Sequence, residues 1–133
     1  MTIVLDRAIV CLVTGLALGA SARQQSTSPL GRWVGESHCV GAHPACHEEH
    51  VIYQGDSAGP HRFTLDGRRF AGRDTVDMGA LACEGTGSEP IIVCHIPSGA
   101  WRFSVVQGHL EGSLMLNDST VMRRVVAYRT EPH

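Results

Sequence analysis

The stretch WRFSVVQGHLEGSLMLNDSTVMRRVVAY, Trp101 to Tyr128, decides the fold class. It reads as three strands, Trp101 to Val106, Leu110 to Leu116 and Thr120 to Tyr128, joined at Gln107-Gly108 and Asn117-Asp118. Turns this tight make the strands antiparallel neighbours. On the middle strand Leu110, Gly112, Leu114 and Leu116 face one way, while His109, Glu111, Ser113 and Met115 face the other. That alternation describes a meander with one buried and one solvated face.

Upstream the same grammar continues. Ile91 to Ile96 (IIVCHI) is short and β-branched, hence a strand. A further short strand is expected around Met78 to Cys83, within the weakly patterned stretch Arg73 to Glu89. Arg62 to Leu65 and Arg68 to Phe70 flank Asp66-Gly67, which reads as a hairpin turn. Gly55 to Pro60 (GDSAGP) reads as a turn, Glu49 to Gln54 as a strand and Trp33 to Val40 as the first strand of the domain. Gly and Pro punctuate the chain too often for a long helix. The expectation is an all-β domain of seven to eight strands, closed as a small antiparallel β-barrel or sandwich so that its edges are protected.

The N-terminus reads differently. Ala8 to Leu18 is an apolar run preceded by Arg7 and followed by an Ala-x-Ala cleavage pattern at Ala20 to Ala22. Its about 11 residues fall short of the roughly 20 that span a bilayer, so it is expected to be a cleaved signal peptide covering 1–22. The polar segment 23–29 is a flexible leader, and the single β domain occupies 30–133. The mature chain has no membrane span, and its expected location is periplasmic or secreted.

Composition narrows the function. The formal charge is −2, and all 11 basic residues are Arg. A near-neutral chain lacks the electrostatic footprint of a nucleic-acid binder. Removing 1–22 takes away Cys11 and leaves Cys39, Cys46, Cys83 and Cys94, an even set in an exported domain of modest core. Proximity in the chain favours Cys39–Cys46 and Cys83–Cys94 over the two other connectivities, although spacing alone does not decide among them. Each bridge closes a short loop, which stabilises by about 2–3 kcal/mol.

The densest reactive segment is His38 to His50, with His38, His43, His47 and His50 around Cys39 and Cys46. Thiolate and imidazole suit Zn²⁺ or Cu⁺, but no zinc-module spacing is present, and in an oxidising compartment the thiols bond to each other. The histidines alone then remain as candidate metal ligands. His38 on a strand is expected to lie apart from the other three, so binding would be weak. No cofactor is otherwise implied, with Zn as the alternative. Catalytic patterns are missing: Ser57 sits in no Gly-x-Ser-x-Gly elbow, no Cys-x-x-Cys pair exists, and there is no phosphate-cradling loop. Glu48 and Glu49 are adjacent and on a strand point to opposite faces, so they form no carboxylate pair. Glu36 and Glu111 read as solvated strand residues, and Asn117-Asp118-Ser119 as a hairpin turn rather than a glycosylation site.

Gly31-Arg32-Trp33 opening the first strand resembles the Gly-x-Trp signature of lipocalins and their calycin relatives, and Gly108-His-Leu-Glu-Gly112-Ser-Leu is similar to their late hairpins. The whole mature chain resembles a group of uncharacterised small bacterial exported proteins, most visibly at Cys39-Val-Gly-x-x-Pro-x-Cys46. The lipocalin resemblance implies that Trp33 plugs one barrel end under an arginine from the end of the last strand, Arg129 or else Arg124. It implies a non-catalytic binding or interaction module whose partner is a small apolar ligand or a protein.

Overall fold

The computed structural model describes residues 28–41, 46–85 and 91–130. The expected signal peptide 1–22, the expected leader as far as residue 27, and His43 lie outside the described residues. Eight strands follow in chain order: β1 (Gly31–Cys39), β2 (Glu49–Gly59), β3 (Arg62–Ala71), β4 (Asp74–Gly85), β5 (Ile91–Ile96), β6 (Gly99–Val106), β7 (His109–Leu116) and β8 (Val121–Arg129). Each pairs antiparallel with the next, and β8 returns to β1, so the sheet closes into an up-and-down barrel. Closure leaves no sheet edge for aggregation along the β8–β1 join.

The last third forms as its alternation dictates. Leu110 and Leu114 point inward from β7, and Met115 points out. Gln107 and Gly108 both take positive φ, 50° and 81°, the turn geometry whose twist matches the flanking strands. The Asn117 turn runs to Thr120, and β8 starts at Val121.

Two expected turns are overturned. Gly55 to Pro60 is not a turn: β2 runs on to Gly59, and the chain reverses at Pro60 and His61. Asp66-Gly67 is not a hairpin either, since β3 passes straight through it and the reversal comes at Gly72 and Arg73. Gly67 serves close packing instead. A Cβ there would sit 3.2 Å from Cε1 of Tyr53, so the missing side chain makes room for the Tyr53 ring. Opposite it, Gly79 holds φ +93° at a bulge where the β3–β4 register shifts. Glycine in a strand marks a bulge or a close approach as readily as a turn.

The hairpin of β3 and β4 is consequently long. Residues 70–80 are all exposed, with Phe70, Val76 and Met78 among them. Between β4 and β5 the described pairing covers only Cys83, Glu84 and Gly85.

An eight-stranded barrel has room for side chains and at most one small ligand. Here the end where β1 begins is filled. Trp33, Leu65, Phe103 and Leu110 are each at most 1% exposed. Further along the interior, towards the other end, Tyr53 meets Phe103 edge-on at 5.6 Å and Trp101 stacks on Phe103 at 5.4 Å.

Candidate functional site

The filled end is a polar lock around an indole. Trp33 on β1 donates its Nε1–H to the carbonyl of Pro29 at 2.9 Å. The guanidinium of Arg129, from the end of β8, lies 4.2 Å above the ring centre. The same guanidinium donates to the carbonyls of Leu30, at 2.6 Å, and Ser28, at 2.9 Å. A cation over an indole face is attractive, and the two carbonyls fix the planar fork in place. Arg124 is not in this arrangement: it is exposed and pairs in register with His38, nearer the other end of β1.

The opposite end is open. It holds a basin of about 210 Å³ lined chiefly by Tyr53, Leu81, Trp101 and Leu114, with Phe103 beneath the two rings. Met78 and Met122 stand at its sides. Its polar groups gather on one wall. Arg123 donates to Ser37 Oγ at 3.0 Å and to the carbonyl of His47 at 2.9 Å, and its Nη1 lies 3.7 Å from Glu49 Oε2. Burial holds the Tyr53 phenol well above its ordinary pKa; the Glu49 carboxylate adds to the shift and Arg123 opposes it. An apolar hollow with a few convergent polar groups is the usual form of a small-molecule site. The reading of the sequence missed this site. Period-two alternation does place Tyr53, Trp101 and Leu114 indoors, but which barrel end they leave unfilled is a property of all eight strands.

Cys39, Cys46, Cys83 and Cys94 form two bridges, Cys39–Cys46 and Cys83–Cys94. The thiols are therefore spent and cannot ligate metal. Two disulfides fit an oxidising extracellular environment, and among the described residues no helix is long and apolar enough to cross a membrane.

The histidine segment is arranged differently from expectation. His38 does not lie apart from His50. Glu36 and His50 are register partners across β1 and β2, and His38 shares the outer face with Glu36. His38 Nε2 is 3.1 Å from Glu36 Oε2, and His38 Nδ1 is 2.7 Å from Glu48 Oε2. His50 Nδ1 is 3.7 Å from Glu36 Oε1. The other oxygen of Glu48 accepts the amide N–H of Cys39 at 3.3 Å. A hollow of about 130 Å³ is lined by Glu36, His38, Glu48, Glu49 and His50. His47 lends its carbonyl to Arg123 and is not part of that lining. Among the described residues no three His, Cys, Asp or Glu side chains are closed around one point. Glu36, expected as a solvated strand residue, is thus the carboxylate between these two histidines, and Glu48 holds His38 from its other side.

Compared with protein-family models and with curated proteins, the chain matches none.

Proposed function

We propose that this chain is exported, loses 1–22, and acts as a non-catalytic lipocalin-like module that takes a small apolar molecule into the open end of its barrel. The observation that carries the reading is the basin of about 210 Å³ whose apolar lining includes Tyr53, Leu81, Trp101 and Leu114. The volume sets the ligand class. A dry cavity of about 150 Å³ accepts benzene, so a molecule of one or two rings, or a short acyl chain, fits here and a long-chain lipid does not. The Arg123, Ser37 and Glu49 wall suits one polar end group. The Gly31-Arg32-Trp33 opening with Arg129 over Trp33 supports the lipocalin-like part of the reading, and the two bridges support an exported one.

Trp101 is the reporter. Titration with indole and naphthalene compounds is expected to change its emission saturably, with micromolar dissociation constants. The change should vanish in Trp101→Phe, which leaves Trp33 at the far end as the remaining tryptophan. Leu114→Arg, which fills the basin, should weaken binding at least about tenfold, since a charge then sits in the apolar pocket. Absence of saturable change across the series, or equal binding by Leu114→Arg, rejects the proposal.

A further inference from the structure

We infer that the outer face of β1 and β2 carries a divalent transition-metal site made of Glu36, His38 and His50, with Glu48 as its positioning residue. It is separate from the apolar basin and independent of the reading given above.

Glu48 anchors the cluster. One of its oxygens is held by the amide of Cys39, at 3.3 Å, and the other meets Nδ1 of His38 at 2.7 Å. A carboxylate oxygen accepts only, so Nδ1 is the N–H of this contact. In neutral imidazole the remaining nitrogen, Nε2, then presents a lone pair. That lone pair faces Oε2 of Glu36 at 3.1 Å. Two electron-pair donors at this distance repel unless a proton or a metal ion stands between them. A carboxylate on the far nitrogen of a ligating histidine is the usual second contact of a metal-bound imidazole, fixing tautomer and ring orientation.

The spacing suits a metal ion. Bonds of about 2.0–2.1 Å in a tetrahedral zinc shell put neighbouring ligand atoms about 3.3–3.4 Å apart. His38 Nε2 lies 3.1 Å from Oε2 of Glu36 and His50 Nδ1 lies 3.7 Å from its Oε1, each near that value, so the carboxylate faces one imidazole with each oxygen. As placed, the three side chains do not converge on one point, and none of the described residues forms a ready metal shell. His50 is the least constrained of the three, with a side chain 72% exposed, so rotation of that ring is the closing movement. Two imidazoles and a carboxylate select Zn²⁺, Cu²⁺ or Ni²⁺ over Mg²⁺ and Ca²⁺, and water completes the coordination. The loop that delivers Glu48 is tied back by the Cys39–Cys46 bridge.

The test is calorimetric titration of the oxidised mature protein with Zn²⁺ at neutral pH, with ring-nitrogen NMR of the histidines as a second readout. One ion per chain is expected, with the His38 and His50 ring nitrogens shifting on binding. His38→Ala and His50→Ala should each abolish it. Glu48→Gln should weaken it about 10–100-fold, the usual cost of losing such an outer contact, without changing the stoichiometry. His43→Ala and His47→Ala should leave it intact, and so should Leu114→Arg in the basin. Absence of binding at millimolar Zn²⁺ in a protein with a native circular dichroism spectrum overturns the inference; the bridging imidazole is then held by a proton between two carboxylates. Binding that survives His38→Ala but is lost in His47→Ala overturns it as well.

Discussion

Cys83 and Cys94 face each other across β4 and β5 as register partners, with their Cα atoms 4.1 Å apart and both side chains inside the barrel. Theirs is one of three described residue pairs joining those strands, whereas β3 and β4 share ten. The covalent bond therefore spans the seam where, among the described residues, strand pairing is thinnest. The other bridge, Cys39–Cys46, ties down a loop at the rim.

Replacing both Cys83 and Cys94 by Ala should lower stability by about 3 kcal/mol, the chain-entropy value for so short a loop. The loss should be localised. Hydrogen exchange at Ile91–Ile96 is expected to accelerate more than at β7 or β8. In Cys39→Ala/Cys46→Ala, β5 should keep its protection. Equal loss of protection at β5 in the two variants would contradict a special role for the buried bridge.

Trp33→Ala should cost about 3–5 kcal/mol, as for other buried aromatic deletions, because the indole is fully enclosed and its Nε1–H is matched to Pro29. Arg129→Ala should cost about 1–3 kcal/mol through the lost ring contact and hydrogen bonds from a charged group. Arg129→Lys should recover little of it, since an ammonium cannot span the carbonyls of Ser28 and Leu30 as a planar fork does. Denaturant melts of the three variants decide the point. A loss below about 1 kcal/mol for Trp33→Ala would place the indole outside the core.

Gly112→Ala tests how tightly the interior is filled. Its new methyl would sit 2.5 Å from Cε1 of Phe103, far inside contact distance, so overpacking of about 1–3 kcal/mol is expected. Phe103→Leu in the same chain should relieve part of that cost. A double-mutant cycle with no coupling between the two positions would show that the ring moves freely.

Stability should fall at alkaline pH through Tyr53. Burial raises the folded-state pKa of this phenol above the ordinary value of 10.0. The unfolded chain then ionises first, so the contribution is fully present below about pH 10 and is lost progressively above it. Tyr53→Phe should flatten the decline between about pH 10 and 12 in thermal melts. An unchanged slope would mean that the phenol keeps its hydration in the folded protein.

N-terminal sequencing of exported material should begin at Arg23 or within a few residues of it. Exported protein that still begins at Met1 would remove the signal-peptide reading.

Much of this fold is legible in one dimension because its information is local. The alternation of β7 names its inner face without knowledge of any neighbour, and Gln107-Gly108 states its own turn. Short separations along the chain likewise favoured the two cysteine pairings that form. Non-local relations needed the tertiary structure. Gly67 looks the same in sequence whether it turns the chain or makes room for Tyr53, and only the packing of β2 against β3 decides between them. Glu36 and His38 meet His50 through the β1–β2 register, in which a shift of one residue would put partners on opposite faces, and Glu48 reaches His38 from the loop before β2. The open basin, too, depends on how much side-chain volume eight strands deliver to each end of one barrel, a sum that no single segment contains.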